Sequence, residues 1–175
     1  SYMDMCYDEG VNLQRGMNYR INPEYSIILM SLRENAPYVD SIEDNGKTLI
    51  YEGHDIPNTK DVDDPKKYDQ YLKHKGGTYT QNGHFYKAAH DYKDGFNDAE
   101  YVKVYEKIRT GIWCYNGIFK LVDAWQEKSE NRKVFKFRLE LTNLDIYKEQ
   151  RDIELKHTRI IPAQIKVDVF KRDQG

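Results

Sequence analysis

The sequence predicts an α+β fold in which a curved, partly closed antiparallel sheet packs against an amphipathic helix. Three observations lead to this expectation. Residues 101–109 alternate apolar and polar side chains with a period of two, and residues 134–141 repeat the alternation, as half-buried strands do. Residues 84–92 place four apolar side chains at i, i+3, i+4 and i+7, which is helical spacing. The chain also has 15 tyrosines, which favour β-rich structure with amphipathic surfaces.

The N-terminal part consists of an unassigned segment and one core strand. Residues 1–24 have no clean periodicity and are expected to form a short helix or an extended arm. Residues 25–30 are a continuous apolar run of strand length, which predicts a strand buried on both faces. A polar loop over 31–37 follows.

Residues 38–55 are the most informative stretch for function. Asn45-Gly46 predicts a tight turn because both residues tolerate positive φ, and a β-compatible run follows it directly. This hairpin would bring Tyr38 and Tyr51 close to several carboxylates. Two aromatic rings can sandwich a flat base, and a carboxylate can accept a hydrogen bond from an amino group such as cytosine N4. The alternative is a surface hairpin whose tyrosines pack at its edges.

The remaining segments alternate between loops and regular elements. Residues 56–77 form a long loop beside the presumed pocket, and such loops are usually functional or disordered. The helix over 84–92 and the strands over 101–109, 118–122 and 134–141 come next. Charged residues on these strands are expected on exposed faces; they are Lys103, Lys107, Arg109, Lys136 and Arg138.

The C-terminal part is expected to be a linker that leads into a further domain. Residues 143–157 are rich in charge, and Pro162 favours a helix that begins at 163.

Composition limits the classes of function. Cys6 and Cys114 do not form a zinc framework, and the five histidines have no metal-binding spacing, so we expect neither metal nor cofactor. No apolar run is long enough to cross a membrane, which predicts a soluble intracellular protein without a membrane partner. The net charge is −2, but residues 1–100 carry 11 basic and 18 acidic side chains, whereas residues 101–175 carry 16 and 11. The net charge of −2 argues against indiscriminate nucleic-acid binding.

Four segments in order carry a resemblance to a known family. They are 26–31, 38–53, 113–119 and 134–141, and together they resemble the SRA (YDG) domain, which recognises modified cytosine in DNA by base flipping. Two departures stand out: Tyr115-Asn116-Gly117 replaces the Tyr-Asp-Gly of the family name, and Glu52 stands where eukaryotic members usually have Thr. The run Tyr-Glu-Gly-His-Asp at 51–55 is more similar to the bacterial branch, which is fused to HNH endonuclease domains.

The resemblance implies a fold, a function and a set of site residues. The fold is an α+β, SRA/PUA-like curved, partly closed β-barrel with flanking helices. Residues 25–142 would be the recognition domain, and residues 143–175 a linker and helix that lead into a nuclease domain beyond this chain. The expected base pocket comprises Tyr38 and Tyr51 for stacking, Asp40 as the first candidate acceptor for cytosine N4, and Glu52 and Asp44 as weaker candidates. The expected DNA contacts are Thr80, Gln81, Asn82, His84 and Arg33.

The chain itself is therefore expected to bind and not to cut. Its partner would be double-stranded DNA that contains 5-methyl- or 5-hydroxymethylcytosine, in the cytoplasm of a bacterium, with a homodimer contact through the C-terminal part or the domain after it. Two alternatives remain open. The carboxylates around 40–55 could form an acidic, metal-dependent nuclease site, or the chain could be an RNA-binding PUA-like module. For Thr80 and Asn82, helix capping is the competing interpretation.

Overall fold

The computed structural model describes residues 1–13 and 16–144. These residues form one seven-stranded sheet with two helices, an α+β fold as predicted. The elements are α1 Tyr2–Glu9, β1 Met17–Asn22, β2 Tyr25–Met30, β3 Ser41–Glu43, β4 Thr48–Glu52, α2 Gln81–Lys93, β5 Tyr101–Arg109, β6 Ile112–Ser129 and β7 Arg132–Leu141. Short 3-10 turns lie at Asp44–Gly46 and Pro65–Lys67.

The sheet is curved and does not close on itself. Its strand order is β1-β2-β5-β6-β7-β4-β3, and every described pair is antiparallel except β2 and β5, which are parallel. The register shifts between Val104 and Tyr105 on β5 and between Leu121 and Asp123 on β6. Such bulges bend a strand and increase its twist, so they curve the centre of this sheet.

Strand β2 separates two apolar cores, which explains its continuous apolar sequence. Ile28 and Met30 face the core under α2, where Phe85 packs edge-on to Phe137 with ring centroids 6.1 Å apart. Ile27 faces the opposite core, which α1 covers. The prediction of a strand buried on both faces is thus confirmed, with the predicted bounds.

Helix α1 is fixed to its face of the sheet by one buried acid. Glu9 accepts hydrogen bonds from Tyr25 Oη at 2.8 Å, from Lys103 Nζ at 2.9 and 3.0 Å, and from Tyr105 Oη. Met5 from the helix packs into the core beside these groups. The charged ends of these side chains are therefore satisfied where α1 meets the sheet.

The structure corrects several expectations about the strands. Strand β1 was not predicted, and β6 runs from 112 to 129 where only 118–122 was expected. Lys103 and Lys136 were expected on exposed faces, but their side chains are only 12% and 8% exposed, because Glu9 and Glu52 pair with them. The predicted helix after Pro162 and most of the predicted linker lie outside the described residues.

Candidate nucleic-acid interface

The predicted hairpin is present, and its turn separates Asp44 from the other carboxylates. Asp44, Asn45 and Gly46 all have positive φ, at 51°, 54° and 91°, before β4 begins. Thr48 Oγ1 donates to Asp44 Oδ2 at 2.8 Å, which closes the turn. Because β3 lies between Asp40 and Asp44, Asp44 stands at the far end of the hairpin with its side chain 63% exposed. The structure therefore does not bring Asp44 into a pocket with Asp40, which corrects that part of the predicted site.

Asp40 is held by two backbone donors. Its Oδ1 accepts from Glu52 N at 3.0 Å, and its Oδ2 accepts from Ser31 N at 3.2 Å. Burial of the carboxyl group raises the pKa of Asp40 from 3.8 to about 6, and the two N–H donors oppose this shift only in part. Each carboxylate oxygen retains a second acceptor position, so the group could also accept a hydrogen bond from a ligand amino group.

Tyr38 is half-buried, and both its hydroxyl group and one face of its ring contact other residues. Its hydroxyl oxygen accepts from Asp55 N at 3.4 Å. Lys66 Nζ lies 4.0 Å from the ring centroid and 2.9 Å from Asp55 Oδ2, so the ammonium group covers one ring face. Burial, followed by the nearby Asp55 charge, raises the pKa of the Tyr38 phenol. Asp55 thus holds Tyr38 through its backbone N–H and through Lys66.

Glu52 is buried and occupied by structural contacts. Its Oε2 accepts from Val39 N at 3.1 Å and from Lys136 Nζ at 3.2 Å, and its Oε1 accepts from Arg132 Nη2 at 3.3 Å. Lys136 Nζ also donates to Val39 O at 2.7 Å. Glu52 is only 2% exposed. Its role in the structure is to position the backbone between Tyr38 and Asp40, and its contact with a base stays a prediction.

Asp55 completes this charged network from the loop after β4. Arg132 Nη1 donates to Asp55 Oδ1 at 2.5 Å, and Gln70 Nε2 donates to the same oxygen at 3.1 Å. Burial alone would raise the pKa of Asp55, but hydrogen bonds from Lys66, Arg132 and Gln70 lower it below its usual value. The network therefore joins β4, β7 and the long loop around one set of opposite charges.

Tyr51 does not present a stacking surface. It is 2% exposed and belongs to the core under α2, with its hydroxyl 3.4 Å from Leu29 O. It lies directly opposite Phe137 on β7, and its inward side is set by the alternation of β4. In this structure a base could reach the ring only if core side chains moved, which corrects the expectation of an accessible Tyr38–Tyr51 pair.

The polar stretch at the start of α2 is mainly structural. Thr80 caps the helix by accepting from Gly83 N at 3.1 Å, so the capping interpretation is confirmed for this residue. Asn82 is 1% exposed and exchanges two hydrogen bonds with the backbone of His54, at 3.0 and 2.9 Å. Both side chains are occupied by contacts within the protein, and their contact with DNA stays a prediction.

Gln81, His84 and Arg33 are half-buried and remain candidates. Gln81 Oε1 accepts from Tyr19 N at 2.7 Å, and His84 stacks on the Tyr19 ring with centroids 5.0 Å apart. Arg33 Nε donates to Ser31 Oγ at 3.1 Å, in the loop that Asp40 holds. Their contact with DNA stays a prediction.

A cleft of about 250 Å³ opens between the start of α2 and the end of the hairpin. The residues that matter for its chemistry are His54, Asp55, Tyr71, His74, Gln81 and Asn82. Tyr71 and His74 meet edge to face with ring centroids 5.7 Å apart. Because Asp55 contacts both this cleft and Tyr38, the cleft and the Tyr38 segment are neighbours.

Sequence reasoning missed the residues that hold the site together, above all Arg132, Lys136 and Gln70. Gln70 donates to Gly53 O at 2.6 Å and accepts from Phe135 N at 2.8 Å, so it bridges two strands through a loop. Arg132 and Glu52 lie 80 residues apart in the chain. The one usable signal was the strand pairing itself, because Lys136 lies directly opposite Glu52 once the register is known.

Most of the acidic residues around 40–55 are paired with basic side chains. In the part of the chain that the structure describes, no group of three or more His, Cys, Asp or Glu side chains is arranged to hold a metal ion. Glu52 and Asp55 pair with Arg132, Lys136 and Lys66, while Glu43 and Asp44 face Arg138 on the outer surface. Across residues 1–13 and 16–144 there is also no helix long and apolar enough to span a bilayer.

Comparison with known proteins identifies the fold. No protein-family model and no curated protein matches the chain. Among solved structures, the SUVH5 SRA domain bound to fully hydroxymethylated CG DNA matches with a TM-score of 0.56 and 21% identity, over 87% of this chain and 89% of that one. The SUVH5 SRA domain in complex with methylated CHH DNA matches with a TM-score of 0.54 and 20% identity, over 87% and 88%.

A longer protein matches in the same way. KRYPTONITE in complex with mCHG DNA and SAH has a TM-score of 0.53 and 19% identity, and the match covers 89% of this chain but only 32% of KRYPTONITE. At these identities the likeness establishes the fold. The described sheet with its two helices is therefore an SRA-like fold, as the sequence resemblance implied.

Proposed function

We propose that this chain reads modified cytosine in double-stranded DNA and that it does so by flipping the base out of the duplex. One observation carries the proposal: the Tyr38 ring and the Asp40 carboxylate lie two residues apart, each held by backbone N–H donors, while Glu52 and Lys136 fix Val39 between them. An aromatic face and an acceptor are the two groups that a flipped cytosine requires. The shared fold with SRA domains crystallised with methylated and hydroxymethylated DNA supports the assignment.

In this mechanism the extruded base stacks on Tyr38 and its N4 amino group donates to Asp40. With a pKa of about 6, Asp40 is mainly ionised at pH 7 and acts as an acceptor. Unstacking and unpairing one base costs a few kcal/mol, and stacking on an aromatic ring returns roughly 1–3 kcal/mol. Glu52, Arg132 and Lys136 act by holding the 38–40 backbone. No covalent step is required, so the chain functions as a binding module and not as an enzyme.

The wider context is also part of the proposal. We propose that residues 25–142 carry recognition, that residues 143–175 connect to an HNH nuclease domain, and that the full protein is a bacterial, cytoplasmic, modification-dependent endonuclease. The SRA resemblance at 26–31, 38–53, 113–119 and 134–141 supports this reading, together with the bacterial variant of the motif at 51–55. A homodimer contact through the C-terminal part belongs to the same proposal.

The test is a binding panel on one duplex that carries cytosine, 5-methyl-, 5-hydroxymethyl- or glucosylated cytosine at a single position. We expect at least one modified duplex to bind more tightly than the plain one, and we expect no cleavage with Mg²⁺ or Mn²⁺. Tyr38→Ala should weaken modified-duplex binding by about 1–3 kcal/mol, whereas Tyr38→Phe, which keeps the ring, should have a smaller effect. Equal affinity for all four duplexes, or equal loss on plain and modified DNA in Tyr38→Ala, would overturn the proposal.

A further inference from the structure

A small basic hairpin lies at the end of the long loop, directly before α2. We define it as residues 73–79, in which Lys73 and Tyr79 form an antiparallel bridge. Inside it, His74 N donates to Thr78 O at 2.9 Å and Gly77 N donates to His74 O at 2.9 Å. Gly77 has φ +86°, which a glycine adopts without strain. Lys73, His74 and Lys75 are all exposed on this hairpin.

The hairpin is anchored on the start of α2. Thr80 N and Thr80 Oγ1 both donate to Leu72 O, at 2.9 and 3.1 Å. A Cβ atom on Gly83 would lie 2.0 Å from Leu72 O and 2.8 Å from the Tyr79 ring, so the hairpin packs directly on the first turn of the helix. The basic side chains therefore project from a fixed base.

The lysines of the hairpin have no acidic partner among residues 1–13 and 16–144. Residues 70–90 contain no Asp or Glu. Among the described residues, neither Lys73 nor Lys75 forms an ion pair, and the Lys73 ammonium lies 4.9 Å from the Tyr79 ring centroid. Lys87 and Lys93 on α2 differ, because Asp91 and Asp123 pair with them. In a chain of net charge −2, these two lysines form an exposed positive group without an ion pair in the part of the chain that the structure describes.

The position of the hairpin relates it to the proposed base pocket. His74 lines the 250 Å³ cleft together with Asp55, and Asp55 N donates to the Tyr38 hydroxyl. The hairpin and the Tyr38 segment therefore meet the same cleft, the first through His74 and the second through Asp55.

We propose that the basic hairpin contacts the phosphodiester backbone of the bound duplex through Lys73 and Lys75. This inference rests on the proposed function and adds the surface that holds the backbone while the base is extruded. Contacts between lysine and phosphate position a protein on DNA without reading its sequence. They release counterions, so each one steepens the fall of affinity with salt. The hairpin should therefore contribute to affinity for plain and modified DNA alike.

The test measures binding constants for plain and modified duplexes between 50 and 200 mM salt, with the full chain and with Lys73→Ala/Lys75→Ala. Each lost phosphate contact changes the slope of log K against log salt by about 0.9, so the double variant should have a slope shallower by about 2. Over this fourfold salt range, wild type should lose roughly tenfold more affinity than the variant. The preference for the modified duplex should be unchanged.

The matched control is Lys87→Ala/Lys93→Ala, which makes the same change in net charge at ion-paired positions on α2. It should leave the slope near that of wild type. If both double variants change the slope equally, or if Lys73→Ala/Lys75→Ala changes nothing, the hairpin is not a phosphate contact, and the base-reading proposal stands unaffected. If wild type binds plain and modified duplexes equally, the proposed function fails, while the slope on the plain duplex still decides the role of the hairpin. Absence of any duplex binding overturns both.

Discussion

Tyr38 and Tyr51 are the same residue type in different environments, and the degree of burial decides what each ring can contact. Tyr51 is enclosed in the core opposite Phe137, whereas Tyr38 is half-buried beside Asp55 and Lys66. Spacing along the hairpin made both residues equal candidates for stacking. Alternation along β4 directs Tyr51 inward with Leu49, and this direction becomes certain only when the partner strand is known.

Tyr51→Ala should therefore act on stability. Removing a fully buried aromatic ring leaves a cavity, and we expect a loss of about 3–5 kcal/mol in the free energy of unfolding, measured by urea denaturation. Tyr51→Phe removes only the 3.4 Å hydrogen bond to Leu29 O and should cost about 1 kcal/mol or less. If Tyr51→Ala unfolds at the wild-type urea concentration but loses DNA selectivity, the ring is a stacking surface and our interpretation is wrong.

Asp40 should make stability depend on pH in a defined direction. Because its pKa is raised from 3.8 to about 6 on folding, the folded protein binds this proton more tightly than the unfolded chain. Its contribution to stability is therefore fully present below about pH 4 and is lost as the pH rises towards and through 6. A shift of this size corresponds to about 2–3 kcal/mol.

The measurement compares wild type with Asp40→Asn by urea denaturation from pH 4 to pH 7. We expect wild type to lose about 2–3 kcal/mol relative to the variant over this range, since Asn does not titrate. Titrating groups far from Asp40 contribute equally to both proteins and cancel in the difference. Parallel stability curves would mean that the carboxyl group of Asp40 is not desolvated in solution.

At the scale of elements, prediction succeeded where the hydrophobic pattern of a single segment is enough to identify a strand. Strands β2 and β5 were predicted with the bounds that the structure has, because one is a continuous apolar run and the other alternates cleanly. Strand β1 was missed because it is an edge strand of mixed polarity, whose pairing with β2 contains an irregularity between Asn18 and Asn22. The charged network around Glu52 was missed for a related reason, since its partners come from β7, far along the chain.

Gly83 shows how closely two elements can be joined by one residue. Gly83→Ala would place a Cβ atom 2.0 Å from Leu72 O, and a backbone oxygen cannot rotate away as a side chain can. The basic hairpin or the first turn of α2 must move, which we expect to cost about 1–3 kcal/mol despite the better helix propensity of alanine. Thermal unfolding and the backbone NMR shifts of residues 72–80 would measure this change.

Gly76→Ala is the control, because a Cβ atom there meets nothing within 4 Å. It lies on the same hairpin and should change stability by about 0.5 kcal/mol or less. If Gly83→Ala were as stable as Gly76→Ala, with unchanged shifts in residues 72–80, the close packing of hairpin on helix would not exist in solution.

At the scale of the whole molecule, β1 belongs to the same sheet as the predicted recognition segment, and α1 packs on that sheet. The sequence pattern placed residues 1–24 outside the recognition domain at 25–142, because residues 1–24 have no periodicity that predicts a strand. In the structure β1 pairs with β2. Helix α1 covers the core that Ile27 faces, through Met5 and the Glu9–Lys103 ion pair. Folding of the recognition segment should therefore depend on residues that carry no motif.

Deletion of residues 1–24 tests this dependence. It would remove the buried side chains of Met5, Leu13 and Met17, each worth about 1.5–3 kcal/mol, and would leave Lys103 without its carboxylate. The sum is comparable to the whole stability of a typical domain, about 5–15 kcal/mol, so we expect the shortened chain to be largely unfolded by circular dichroism at 25 °C. Glu9→Gln, which keeps α1 but weakens its ion pair, should fold with a lower melting temperature. A deletion variant that melts cooperatively at the wild-type temperature would show that residues 25–175 fold without this cover and that α1 and β1 only rest on the sheet.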